Sequence, residues 1–252
     1  MSQKTIKGHR PSRTDTSSLP MLMAHASGLD ASTFRPLSNV LSPRECIRIE
    51  YIGYPDGGPL PTSNILTADA ETVENAIRDA GRPVHLFGHS YGGRVALEVA
   101  RRRQVRLETL LVYEPVLQGA LPPRDMRPFL DPPDGYAGFL RNLTDYWGGS
   151  GTWDALSKHH KSLQMRRAER VHREVWTLAE DRLTADAWAS LTMPVLIMRG
   201  DYGHTDSETM CQSLADAIPG STLTVIPKTG HMAPILDYAT VGVVMKDWLG
   251  LR

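Results

Sequence analysis

Ten residues, Val84-His85-Leu86-Phe87-Gly88-His89-Ser90-Tyr91-Gly92-Gly93, leave the chain less freedom than any other stretch of its sequence. An apolar run stops at a serine held between glycines, and a helix-forming run, Arg94-Val95-Ala96-Leu97-Glu98-Val99-Ala100, begins at once. This order predicts a strand, a turn with no spare residue, and a helix. So sharp a turn demands positive φ at its central residue. The neighbours two positions away must lack Cβ, or helix and strand would collide. The same strain exposes the Ser90 hydroxyl at the C-terminal end of the strand. It also sets the next amide at a helix N-terminus, where negative charge is stabilised.

The flanking sequence repeats the strand signal. Pro20-Met21-Leu22-Met23-Ala24 is an apolar run ending in the turn His25-Ala26-Ser27-Gly28, and Phe34, Leu37, Val40 and Leu41 then recur at helical spacing. Cys46 to Ile52 alternates with period two and gives way to a loop, 53–59, dense in Gly and Pro. Leu66, Ala70, Val73, Ile77 and Ala80 mark one helix face, closed by Gly81. Leu107 to Tyr113, Pro194 to Met198 and Ser221 to Ile226 read as further buried strands, and Val241, Val244, Met245, Trp248 and Leu249 as the inward face of a closing helix. Strands alternating with helices predict an α/β fold, a mostly parallel sheet covered by helices on both faces. In such sheets chemistry collects at the C-terminal ends of the strands. Between Glu114 and Pro194 the pattern is helical only, and it carries eight aromatics (Phe129, Tyr136, Phe139, Tyr146, Trp147, Trp153, Trp176 and Trp188), most of them expected to pack this segment against the rest.

Bulk properties exclude several classes. At 252 residues and 41% hydrophobic content the chain can bury the core of one large domain. Its 28 basic and 28 acidic side chains cancel, so no net field favours nucleic acid or an anionic membrane. No apolar run approaches the length of a membrane span. Residues 1–19 are polar and read as a flexible tail, with a short strand expected around Thr5-Ile6-Lys7. The polar start, Ser2-Gln3-Lys4-Thr5, has no secretory signal character, and Cys46 and Cys211 form neither a disulfide framework nor a zinc motif. A reduced, cytoplasmic protein is expected, acting on a small molecule.

The pattern Gly88-His89-Ser90-Tyr91-Gly92 resembles the nucleophile elbow of the α/β-hydrolase family, and the likeness extends over residues 20 to about 250. It implies a core of residues 20–118 and 189–252, with 119–188 inserted as a helical lid. It implies Ser90 as nucleophile and, in Gly230-His231-Met232, the histidine that activates it, with His204 the rival near the same sheet edge. His89 should point away from the hydroxyl, His85 belongs to a strand face, and His159-His160 face solvent. The acid departs from the family's usual pattern: Gly200-Asp201-Tyr202-Gly203 places glycine where most members carry aspartate. The family's second solution, an acid at the end of the strand after the elbow helix, falls on Glu114, with Asp206 and Asp201 as alternatives. By the same resemblance the amides of Tyr91 and Ser27 form the oxyanion hole, the latter in a turn with alanine where the family has His-Gly-x. The expected activity is hydrolysis of a small, mostly apolar carboxylic ester or thioester, without metal or organic cofactor. Carbon–carbon bond hydrolysis and cofactor-free peroxidase chemistry use the same residues. A non-catalytic ligand-binding role belongs to a different class.

Overall fold

The structure is a computed structural model describing residues 19–55 and 58–251; the expected strand at Thr5-Ile6-Lys7 lies outside them. The first half runs β1 (Met21–Ala24), a short 3-10 turn, α1 (Arg35–Val40), β2 (Cys46–Ile49), α2 (Ile65–Asp79), β3 (Val84–His89), α3 (Tyr91–Arg102) and β4 (Leu107–Tyr113). Helices follow: α4 (Arg127–Leu130), α5 (Gly135–Gly148), α6 (Thr152–Ala155), α7 (Lys158–Arg166) and α8 (Ala168–Glu180). The chain then returns to the sheet with β5 (Val195–Gly200), α9 (Thr205–Ala217), β6 (Thr222–Ile226), α10 (Ala233–Leu236) and α11 (Tyr238–Leu249).

The described strands form one six-stranded sheet in the order β2-β1-β3-β4-β5-β6, and each pair is parallel. Both faces are covered, which is why the central strands read as continuous apolar runs rather than alternating ones. Leu22, Leu86, Leu110, Val112 and Ile197 pack beneath α2, α3 and α9. Met21, Met23, Phe87, Leu111 and Met198 pack on the other face with α1 and α11. The helical segment between β4 and β5 has a small core of its own around Phe139, Trp153 and Val171. Trp188 instead joins the sheet-side core, its indole N–H donating to the Leu97 carbonyl at 2.9 Å.

Two sequence expectations are trimmed. β2 ends at Ile49 rather than Ile52, because the chain turns there and buries Tyr51 and Tyr54. Of the five α11 residues expected to face inward, only Val241, Met245 and Leu249 are buried, with Val244 and Trp248 half-covered at its margin.

The chain runs outward from β1 to β2 and then crosses to β3 on the other side of β1, so the order reverses between β1 and β3. Loops leaving adjacent strands at such a switch point part to opposite faces and open a crevice at the strand ends. The turn after β1 and the turn at Ser90 flank this crevice. Ser90 has φ 56° and ψ −119°. A Cβ on Gly88 would lie 2.3 Å from the Gly92 carbonyl oxygen, and one on Gly92 2.2 Å from that of Ala24. Both obstacles are backbone and cannot swing away.

Gly92→Ala is therefore expected to cost about 3 kcal/mol or more, lowering the unfolding midpoint by roughly 6 °C or more. Gly81→Ala, where a Cβ meets nothing within 4 Å at φ +64°, should lose only about 1–2 kcal/mol. Calorimetry of the two variants checks the ordering.

Candidate active site

Parallel strands bring the ends of β3, β4, β5 and β6 side by side. The structure brings together Ser90, His231 and Glu114, leaving β3, β4 and the loop after β6. The Ser90 hydroxyl lies 3.0 Å from His231 Nε2, and His231 Nδ1 lies 2.7 Å from Glu114 Oε2. All three side chains are buried. Glu114 takes φ 42° directly after β4. There its other oxygen accepts the Gly200 amide at 2.9 Å, and Oε2 also accepts the Ser207 hydroxyl at 2.9 Å. Burial pushes the Glu114 carboxyl up, but the His231 hydrogen bond and charge, the Gly200 amide and Ser207 outweigh it and hold it below its ordinary value. An ionised Glu114 can only accept, so Nδ1 of His231 is its donor, and a neutral ring in that tautomer presents a lone pair at Nε2 to the serine hydroxyl.

Residue 203 lies beside this carboxylate. A Cβ there would stand 2.8 Å from Glu114 Oε1, so a larger residue would require the glutamate to shift. The two alternatives lie elsewhere. Asp201 accepts the Lys228 amide at 2.6 Å. Asp206 pairs with Arg124 at 2.7 Å and accepts the Tyr146 hydroxyl. His204 stacks on Tyr146, with centroids 4.2 Å apart, and caps α9.

His89 does point away from the serine, and its ring finds the His231 carbonyl at 2.8 Å. Burial, and then the proximity of His231, push the His89 pKa well below its ordinary value. Its Nε2–H thus holds the histidine loop without adding a charge. Neither this bond nor the stacking of Trp147 on the His231 ring, centroids 4.0 Å apart at 15°, has a local sequence signal, since each joins segments far apart in the chain. His85 is buried and bonded to Thr109 at 2.7 Å, while His159 and His160 are exposed.

A cavity of about 630 Å³ opens above Ser90 and His231. Its walls are mostly apolar: Leu121, Phe129, Leu140, Leu143, Val175 and Met210 come from the helical segment and α9, while Ala26 and Ser27 come from the turn after β1. Tyr91 opens α3, so its amide lacks an intrahelical acceptor and is available to a ligand. Gln164 Nε2 and Arg167 Nη1 both donate to the Gly28 carbonyl, at 3.1 and 2.8 Å, and hold the Ser27 turn from behind. Among the described residues no cluster of three or more His, Cys, Asp or Glu could hold a metal ion, and no helix is long and apolar enough to cross a membrane.

A fold of this order with its switch point at β1 and β3 defines a class, and comparison with known proteins agrees. The chain belongs to the alpha/beta hydrolase family, whose model matches residues 21–244. It is 33% identical over 137 residues to the thioesterase TesA of Mycobacterium leprae (strain TN), a match covering 50% of this chain and 52% of that protein, so the chain spans about half the length of that curated relative. Among solved structures it is similar to a thermophilic esterase from Thermogutta terrifontis, with TM-score 0.75 and 21% identity over 92% of this chain and 90% of that one. It is also similar to the 2-hydroxy-6-oxo-6-phenylhexa-2,4-dienoate hydrolase of Rhodococcus sp. strain RHA1, with TM-score 0.71 and 16% identity over 94% of this chain and 92% of that one. These identities speak for the fold alone.

Because its folded pKa is lowered, Glu114 contributes stability that is present above its ordinary value of 4.5 and lost as pH falls through the lower folded value. Glu114→Gln should therefore be less stable than the parent at neutral pH, with the gap narrowing between about pH 5 and pH 3. Thermal unfolding followed by circular dichroism across that range measures it, and a gap independent of pH would contradict the assignment.

Proposed function

We propose that this protein is a serine hydrolase acting on a carboxylic ester or thioester whose acyl group is apolar and uncharged. One observation carries the reading: the chain of hydrogen bonds Ser90–His231–Glu114 ends at the floor of an apolar cavity of about 630 Å³. Serine becomes a nucleophile when a base takes its proton and a third group orients that base. Ser90 Oγ attacks the carbonyl carbon while its proton passes to His231 Nε2. The oxyanion forms between the amides of Tyr91 and Ser27, which lie in place before charge develops. Collapse of the tetrahedral adduct breaks the bond to the alcohol or thiol, which leaves with the proton from Nε2. Water then attacks the acyl-enzyme with His231 again as base, and the acid departs. Glu114 keeps the tautomer throughout and balances the imidazolium.

In this reading helices α4 to α8 are a lid, roughly residues 119–188, that excludes water from the cavity. The uncharged acyl group follows from the wall: its guanidinium, Arg124, is already paired with Asp206. The match to a thioesterase keeps thioesters beside oxygen esters as substrates.

A fluorophosphonate probe should label the folded protein and fail to label Ser90→Ala; no labelling of the parent would sink the proposal. Glu114→Gln should lower kcat by roughly 10² to 10⁴, as for other triad acids, whereas Asp206→Asn should cost less than about tenfold because its partners only brace the wall. The reverse order would move the acid to the later loop.

Each methylene buried adds about 0.8 kcal/mol, so kcat/KM should climb about fourfold per carbon along a series of p-nitrophenyl esters or acyl thioesters until the cavity is full. A flat series would show that the apolar wall is not the acyl site.

A further inference from the structure

The two turns assigned to the oxyanion meet a set of buried charges that the reaction above does not use. Tyr91, whose amide would be one donor, buries its ring completely and donates its hydroxyl to Asp69 Oδ2 at 2.5 Å. Arg170, on α8, donates to the same oxygen. The Arg170 Nε also lies 3.0 Å from Glu174 Oε1 one turn further along the helix, an ion pair without hydrogen-bond alignment. The Tyr54 hydroxyl is 3.1 Å from both oxygens of Glu174 and accepts the Gly28 amide at 2.9 Å. The guanidinium sits over the rings of Tyr51 and Tyr54, 5.9 and 5.3 Å from their centroids. Asp69, Arg170 and Glu174 are each no more than 1% exposed.

Burying three ionisable groups is expensive, and well-packed apolar side chains of similar volume would hold α8 at least as firmly. Val171, Val175 and Leu178 already do so. What apolar packing lacks is direction. A charged hydrogen bond to Asp69 is directional, and the ion pair with Glu174 extends the same guanidinium's reach toward the other turn.

We propose that Arg170 is a positioning residue for the oxyanion hole. Through Asp69 it fixes the start of α3 at Tyr91, and through Glu174 and Tyr54 it fixes the Ser27–Gly28 turn, so that the two amides converge on one point. The proposal rests on reading the Ser27 and Tyr91 amides as the oxyanion donors. A helix of the inserted segment thereby sets the geometry of a hole built wholly from the sheet's own turns.

The test uses the full chain and the variants Arg170→Met, Arg170→Lys, Tyr91→Phe and Tyr54→Phe. Each is measured for kcat and KM on the best p-nitrophenyl ester. Each is also measured for inhibition by an alkyl boronic acid, which forms a tetrahedral adduct on serine, and by a methyl ketone of equal length. Arg170→Met should lower kcat by about ten- to a hundredfold, the scale of a displaced donor, with KM within about twofold of the parent. Affinity for the boronic acid should fall in parallel, and affinity for the ketone should hold. Arg170→Lys keeps the charge but not the fork and should fall between. Tyr91→Phe should act in the same direction, and its loss should shrink once Arg170 is replaced, as expected of one network. Should Arg170→Met fail to fold, the two hydroxyl deletions decide. Unchanged kcat in both, or losses in KM alone, would overturn the proposal. A parent that is labelled by the fluorophosphonate and turns over ester separates that failure from failure of the hydrolase reading. A parent that does neither overturns both.

Discussion

Helix α3 approaches β1 and β3 so closely that carbonyl oxygens occupy the places where side chains would begin. This contact between Gly92 and Ala24, and between Gly88 and Gly92, governs what surrounds it. Only with the helix drawn in can the turn close with one residue, and only then is Ser90 forced to φ 56° with its hydroxyl facing the crevice. The same approach sets the N-terminus of α3 beside the turn after β1. Glycine here supplies absence of bulk, and at Ser90 the surrounding packing sustains a backbone conformation that a side chain disfavours.

The acid shows how one volume can be filled from two directions. Glu114 and residue 203 compete for the space beneath His231, and a glycine at 203 leaves it to the glutamate. A longer side chain from β4 then reaches the imidazole at 2.7 Å with help from φ 42° at its own backbone. Two influences oppose each other there, because burial alone would favour the neutral acid. Three donors, from His231, Gly200 and Ser207, tip the balance to the carboxylate. Asp206 is left to clamp Arg124 and Tyr146 at the cavity wall.

The strands were legible because both faces of the sheet are covered, which writes them as apolar runs between turn formers. The elbow was legible because its steric demands fall on consecutive residues. Glu114 could be preferred because a glycine stands at 203, where most relatives carry the acid, and because it falls at the family's second acid position. His89 could be read as pointing away from Ser90 but not as reaching a carbonyl 142 residues later. Arg170 and Glu174 were harder still. An Arg–Glu pair at i and i+4 on a polar-looking helix has the pattern of a solvated face, and nothing local distinguishes one that is buried against three tyrosines. Local rules reach positions defined by backbone geometry; they fail where a site is defined by which distant surface covers it.

His231 is where these influences meet. In the proposed reaction it becomes an imidazolium beside a mostly apolar cavity, where an unbalanced charge would be costly. Glu114 supplies the opposite charge at the ring edge, and the indole of Trp147 lies across one face at 4.0 Å. A cation over such a face gains about 0.5 to 2 kcal/mol, less than a buried carboxylate at hydrogen-bond distance provides, so the indole adds to the balance without setting it. The third neighbour, His89, matters by staying neutral. Its ring centre is 5.1 Å from that of His231, and a second positive charge there would oppose the first. Burial of His89, reinforced by the field of His231, removes that charge and leaves a donor that pins the loop carbonyl. The site thus surrounds a ring that must gain a proton with one anion, one polarisable face and one neutral donor. Of the three, only the anion lies in a position the sequence could single out.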